Sequence, residues 1–293
     1  TCFFLFPNYL KNVGLVPGFF AGCLITLSYL YLAHLYFWNE RQLKKFDPSI
    51  KSVSIYTLVE LVFARIGKLP RLGFYLKLYL KYEIILSWSL GMSFSLLFVC
   101  QNFKLILHNL GYEFNDKIIL LYLILPLALV CFTPNLAAMN KAFYLSSVIV
   151  TVITVETFFY IFTDTSSLPK TRLYGSLEGI PSYLNNILFT INMTALLFLY
   201  RNEMKREKDF TSLLGSLNLA ILTTICLCMI YSISCNIRFG EDVRENIIEN
   251  LPNNLLVNIS NAVMTITMMV SGSVIFYGIF VCLWEGTLDE MFK

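Results

Sequence analysis

Asn185, Asn186, Thr190, Asn192 and Thr194 fall within a run of 21 residues, Ile180 to Tyr200, that contains no charge. Amides and hydroxyls of this kind donate and accept hydrogen bonds but carry no proton that titrates near neutral pH. The run is long enough, at about 1.5 Å per residue, to cross a hydrocarbon layer of roughly 30 Å. It holds more hydrogen-bonding groups than a lipid-facing helix needs, so its middle must be wet or lined by protein. Arg201, Lys205, Arg206 and Lys208 follow at once. Acids within apolar runs are scarce. Glu156 lies in the outer third of its own run, where it reads either as a proton site or as a carboxylate that reaches the interface or a neighbouring helix. Ser260, Thr265, Thr267, Ser271 and Ser273 sit on one late apolar stretch. They can line a cation site or bond between helices. His34 and His108 are far apart, no Cys or His spacing suits a metal, and the clustered acids, bases and nucleophiles of an enzyme site are missing. No cofactor is implied.

The elements that hold these groups are membrane helices. Of 293 residues, 57% are hydrophobic and 14% charged, with a mean hydropathy of +0.66, against about a quarter charged in a soluble domain. The net charge of +3 gives no footprint for nucleic acid. Most cysteines sit in apolar runs, where they behave as small hydrophobes. Thr1 to Leu10 is apolar but too short to span. Spans are expected at Val13–Trp38, Leu76–Leu107, Ile118–Thr133, Ala142–Phe162, Ile180–Tyr200, Leu213–Cys235 and Leu255–Trp284. Gly14, Gly18 and Gly22 recur every four residues and predict close approach of a neighbouring helix. Lys77, Lys81 and Glu83, near one end of the third helix, are expected to snorkel to the interface. Basic residues set the orientation. Placing Asn39–Leu72 in the cytoplasm puts 13 lysines and arginines inside and seven outside, which supports seven complete spans plus a leading half helix. The chain begins without Met or a basic leader, which predicts a piece of a longer protein.

Three segments carry recognisable patterns in order. Cys2 to Gly18 (CFFLFPNYLKNVGLVPG) is similar to the opening pattern G-[ST]-G-I-L-x-L-P-x-A-F-K-N-A-G-x-x-x-G, keeping Pro7, Lys11, Asn12, Gly14 and Gly18. Phe189 to Met204 (FTINMTALLFLYRNEM) resembles F-A-F-E-G-I-G-x-x-L-P-x-E-N-E-M without a gap. Arg238 to Pro252 (RFGEDVRENIIENLP) resembles F-G-[DE]-x-[VI]-x-x-[SN]-I-x-x-N-L-P. Together they resemble the amino acid/auxin permease family, nearest to its proton-coupled amino-acid transporter branch.

The resemblance implies an all-α polytopic membrane protein. Its fold would be a LeuT-type inverted-repeat bundle, incomplete at both ends, within one domain over residues 1–293, with a first repeat at 1–162 and a partial second at 163–293. It implies secondary active transport of small neutral amino acids by alternating access, coupled to a proton or sodium ion. The protein would not be an enzyme, and its bilayer would be the plasma membrane or an endolysosomal membrane. Substrate would lie where two helices are interrupted, at Thr1, Cys2 and Phe3 and at Thr190, Ile191, Asn192, Met193 and Thr194. Unpaired backbone groups at such a break can hold the carboxylate and amine of an amino acid together. Glu156 and Ser271 are the coupling-ion candidates. Cys2 and Met193 replace pattern glycines, and Asn192 replaces an acid. Glycine reaches backbone angles other residues resist, and Asn carries no proton. Those departures motivate the alternative, a transport-deficient member acting as an amino-acid sensor or interaction protein. The sequons at Asn192–Thr194 and Asn258–Ser260 fall inside expected spans, out of reach of glycosylation.

Overall fold

The structure is a computed structural model, and it describes residues 2–47, 54–109, 111–131, 136–163, 171–191, 197, 200, 201, 204 and 206–283. Among them there is no strand. The helices are α1 (Cys2–Val13), α2 (Leu15–Phe46), α3 (Ile55–Leu61), α4 (Pro70–Asn109), α5 (Asp116–Cys131), α6 (Leu136–Thr163), α7 (Ile180–Ile191), the short α8 (Glu207–Thr211), α9 (Ser216–Phe239) and α10 (Leu255–Leu283). Among the described residues four stretches are long and apolar enough to cross a membrane: Leu15–Phe46, Pro70–Asn109, Tyr144–Thr163 and Asp209–Asp242; Leu255–Val270 is a shorter apolar helix. Outward faces are apolar, with Phe20 and Leu24 on α2 and Leu121 and Leu125 on α5 each about two-thirds exposed. Lipid is the solvent that tolerates such a surface.

The chain divides into two compact units. The first comprises Thr1–Phe19, Trp88–Asn186 and Cys228–Tyr277, and the second Phe20–Ser87, Ile187–Leu227 and Gly278–Lys293.

In the first unit the core gathers around Tyr231 of α9, which is fully buried. Phe3 stacks on its ring at 4.5 Å between centroids, while Phe4 and Phe158 meet it edge-on at 6.1 and 5.6 Å. Edge-to-face and offset pairs match the ring quadrupoles and add to the area that aromatic rings bury. Polar side chains then tie helix to helix. Asn236 Nδ2 donates to Pro7 O at 2.9 Å, joining α9 to α1. Asn109 Nδ2 donates to Asn258 Oδ1 at 2.8 Å, joining α4 to α10, and Asn254 Nδ2 donates to Tyr160 Oη at 2.8 Å, joining α10 to α6. Asn246, in the connection before α10, donates to Asn102 Oδ1 at 2.7 Å. Such bonds satisfy polar groups that hydrocarbon would leave bare. In the same connection Glu249 is only partly exposed; burial pushes its carboxyl up from the usual range, and Arg244 at 4.0 Å offsets part of the shift.

Gly14 is where the glycine repeat departs from expectation. It lies between α1 and α2 with φ +91°, outside either helix, and turns the chain between them. The 172–176 segment grips this turn by backbone bonds. Leu15 N donates to Arg172 O at 3.3 Å and Val16 N to Leu173 O at 3.1 Å, while Gly175 N donates to Val13 O at 2.9 Å and Ser176 N to Asn12 O at 3.0 Å. Amides at the start of α2, which have no partner in their own helix, are satisfied this way. Gly18 does act as a contact glycine: Tyr183 Oη of α7 donates to its carbonyl at 2.8 Å, and the Tyr183 ring meets Phe6 edge-on at 5.5 Å. Tyr183→Phe is therefore expected to keep the ring packing and lose about 1 kcal/mol of stability, read by denaturant unfolding in mixed micelles.

The second unit holds α3 and the N-terminal end of α4. Lys77 Nζ pairs with Glu60 at 2.9 Å, and Arg65 pairs with Asp47. Lys81 is 7% exposed, so of the three charges expected to snorkel it is instead held inside protein. Tyr75, Tyr79 and Tyr82 stand on the open face of α4, each about two-thirds exposed.

Candidate functional site

Of the residues expected to bind substrate, Phe3 belongs to the first unit, and Thr190 and Ile191 to the second. Thr1, Asn192, Met193 and Thr194 lie outside the described residues, as do the side chains of Cys2 and Ser271. Phe3 is half-buried on α1, where Pro7 has no amide hydrogen to give to the carbonyl four residues earlier. A proline in the helix interior removes that bond and leaves the first turn of α1 with a spare acceptor. The stack on Tyr231 fixes the Phe3 ring against α9. On α7, Ile191 is 3% exposed and Thr190 half-buried, while Asn186 is buried at 5%. The α7 helix is described over Ile180–Ile191 and presents two kinds of side chain inward, apolar Tyr183 and Ile187 and the polar Asn186.

Glu156 bonds across helices. Ser260 Oγ of α10 donates to its Oε2, and its Oε1 is buried without a partner among the described residues. Of the two readings of this acid, the bond to a neighbouring helix is present, and a free acceptor oxygen remains beside it. Next to Ser260, Asn261 is 2% exposed, and its Oδ1 has no partner among the described residues. The hydroxyls of Thr265 and Thr267 bond back to Asn261 O and Val263 O at 2.8 Å each, which occupies them locally. Among the described residues no group of three His, Cys, Asp or Glu side chains comes together to hold a metal.

A buried ion pair in the second unit was not foreseen from the sequence. Glu40, in the last two turns of α2, is 1% exposed, and the Arg201 side chain is 6% exposed. Arg201 Nη2 meets Glu40 Oε1 at 2.9 Å and Nη1 meets Oε2, a two-pronged contact. Lys44 Nζ reaches Glu40 Oε1 at 2.9 Å, and the Arg201 guanidinium lies 5.3 Å from the centre of the Phe37 ring. A signal was available. The pattern that Phe189 to Met204 resembles has glutamate where Arg201 stands, so a charge of opposite sign at a helix end called for a new acid nearby.

Long apolar helices joined by polar cross-links define a polytopic, all-helical integral membrane protein. The family model described as transmembrane amino acid transporter protein matches residues 2–288, and the chain belongs to that family, whose members are transporters rather than enzymes. This bears out the resemblance read from the three motifs. No match is found among curated proteins or among solved structures.

Proposed function

We propose that the protein is a secondary active transporter of small neutral amino acids, working by alternating access and driven by a proton or sodium gradient. The observation that carries this reading is the family match over nearly the whole chain. The geometry of α1 and α7 supports it: the proline-bearing α1 is largely buried, and α7 turns the amide of Asn186 into protein while Leu188 faces outward. Substrate contacts are assigned to Thr1, Cys2 and Phe3 and to the segment from Thr190 to Thr194, arranged in two inverted repeats over 1–162 and 163–293. Backbone groups freed at interrupted helices would take the zwitterion's two charges. Glu156 is the leading coupling group, because one of its oxygens is bonded by Ser260 and the other is buried with no hydrogen-bond partner among the described residues; Ser271 is the second candidate.

The test is uptake of radiolabelled glycine, alanine, serine and proline into proteoliposomes holding the full-length protein, with inward proton or sodium gradients imposed in turn. Accumulation above empty vesicles, collapsed by dissipating one gradient, is the expected result. No uptake at any pH with either gradient would overturn the reading.

A further inference from the structure

We infer that Arg201 and Glu40 are positioning residues, forming a clasp that holds the chain beyond α7 and the C-terminal half of α2 together as one moving body. The inference rests on the transporter reading and adds to it a mechanical part within the second unit.

The clasp is built as a stripe. His34, Phe37, Glu40, Arg41 and Lys44 recur on α2 at three- and four-residue steps, the spacing that places side chains on one side of a helix. Each meets the same stretch of later chain or braces a neighbour that does. His34 Nε2 is hydrogen-bonded to Asn218 Oδ1 at 2.8 Å, and Asn218 Nδ2 donates in turn to Ser212 O at 3.1 Å and Leu213 O at 3.0 Å. Phe37 meets Phe210 edge-on at 5.7 Å. Arg41 Nη2 donates to Thr211 Oγ1 at 2.6 Å. Glu40 takes Arg201 with both oxygens, and Lys44 supports the carboxylate from the next turn.

The chemistry of the central pair separates positioning from simple adhesion. Two charges withdrawn from water lose hydration that their attraction only offsets, so well-packed apolar side chains could replace them with little change in stability. What apolar side chains cannot supply is direction. A guanidinium and a carboxylate joined by two parallel bonds share a plane, which fixes rotation as well as distance. The Phe37 ring on the guanidinium and Lys44 on the carboxylate hold both partners in that plane. Arg201 lies ten residues past Ile191, the last residue of α7, so fixing Arg201 fixes where the chain goes after the proposed binding segment.

The experiment uses the full-length protein in proteoliposomes and nanodiscs, with three variants: Arg201→Lys; Glu40→Leu with Arg201→Met; and a charge exchange, Glu40→Arg with Arg201→Glu. The exchange also carries Lys44→Gln, so that the new cation does not face a second one. Melting temperature reports folding, uptake of radiolabelled alanine gives KM and maximal rate, and hydrogen exchange over residues 206–218 reports whether the clasped stretch is held. The apolar pair is expected to melt within a few degrees of wild type. It should also exchange faster over 206–218 and lose about tenfold in maximal rate with KM within about twofold, since the lost interaction serves turnover rather than binding. Arg201→Lys, which keeps the charge but not the fork, should fall between, and the charge exchange should recover most of both losses. An apolar pair with wild-type exchange and wild-type rate would overturn the clasp. If wild type takes up none of the four amino acids, the transporter reading falls, and the exchange data still decide whether the clasp exists.

Discussion

Gly14→Ala is expected to destabilise the protein by about 2–4 kcal/mol, well above the loss usual for a single substitution. Two causes add. The backbone at φ +91° is one that side-chain-bearing residues resist, and a Cβ placed there would meet Tyr174 backbone carbons at 2.7 and 2.8 Å. Neither atom is the far end of a flexible side chain, so relief requires the 172–176 segment to lift off the turn and give up its four backbone bonds. Gly175→Ala should behave alike, since its Cβ would strike Gly14 N at 2.7 Å from the other side. Gly111 provides the control. It has a similar φ of +85° but no atom of the described residues within 4 Å of an added Cβ, so Gly111→Ala should cost only the conformational share, about 1 kcal/mol. Denaturant unfolding of the three variants in mixed micelles decides the matter. Equal losses at Gly14 and Gly111 would mean that the turn is not sterically closed.

Glu40→Leu alone is expected to cost about 3–5 kcal/mol, because it strips the Arg201 guanidinium of its carboxylate while leaving it inside protein. Lys44 loses the same partner but is 31% exposed and reaches water, so its share is small. The double replacement Glu40→Leu with Arg201→Met should return to within about 1–2 kcal/mol of wild type, since no charge is then left uncompensated. Unfolding of both singles and the double closes a thermodynamic cycle, and a double as unstable as the worse single would show that the pair's surroundings, not the pair, carry the loss.

Several features of this molecule were legible as letters. Apolar runs bounded by bases placed the long helices, because the bilayer imposes one length on every crossing; α2, α4, α9 and α10 all overlap their expected ranges. Three short motifs gave the family, since proline, glycine and asparagine at fixed steps describe backbone behaviour that apolar side chains do not encode. The Glu156 contact was half visible, as an acid in an apolar run must find something, but the sequence could not say that Ser260, 104 positions later, was the partner. Glu40 and Arg201 escaped for the same reason at greater separation, 161 positions apart. Each looked like an ordinary charge at the cytoplasmic edge of its own helix, and only folding shows that both point away from water. The role of Gly14 was misread because a four-residue glycine spacing fits a helix face as well as a helix end, and backbone angle is not written in composition.

The length of α4 has one more implication. Forty residues rise about 60 Å, twice the hydrocarbon thickness, and tilt alone would have to reach about 60° to hide them. The tyrosine trio at 75, 79 and 82 favours the headgroup layer and pins the depth at which the rod leaves the oil. With that end held at the headgroups, only 12 residues of α4 precede Tyr82 and the rest of the surplus falls toward Asn109, so the Asn109 end is the one left to slide against membranes of different gauge.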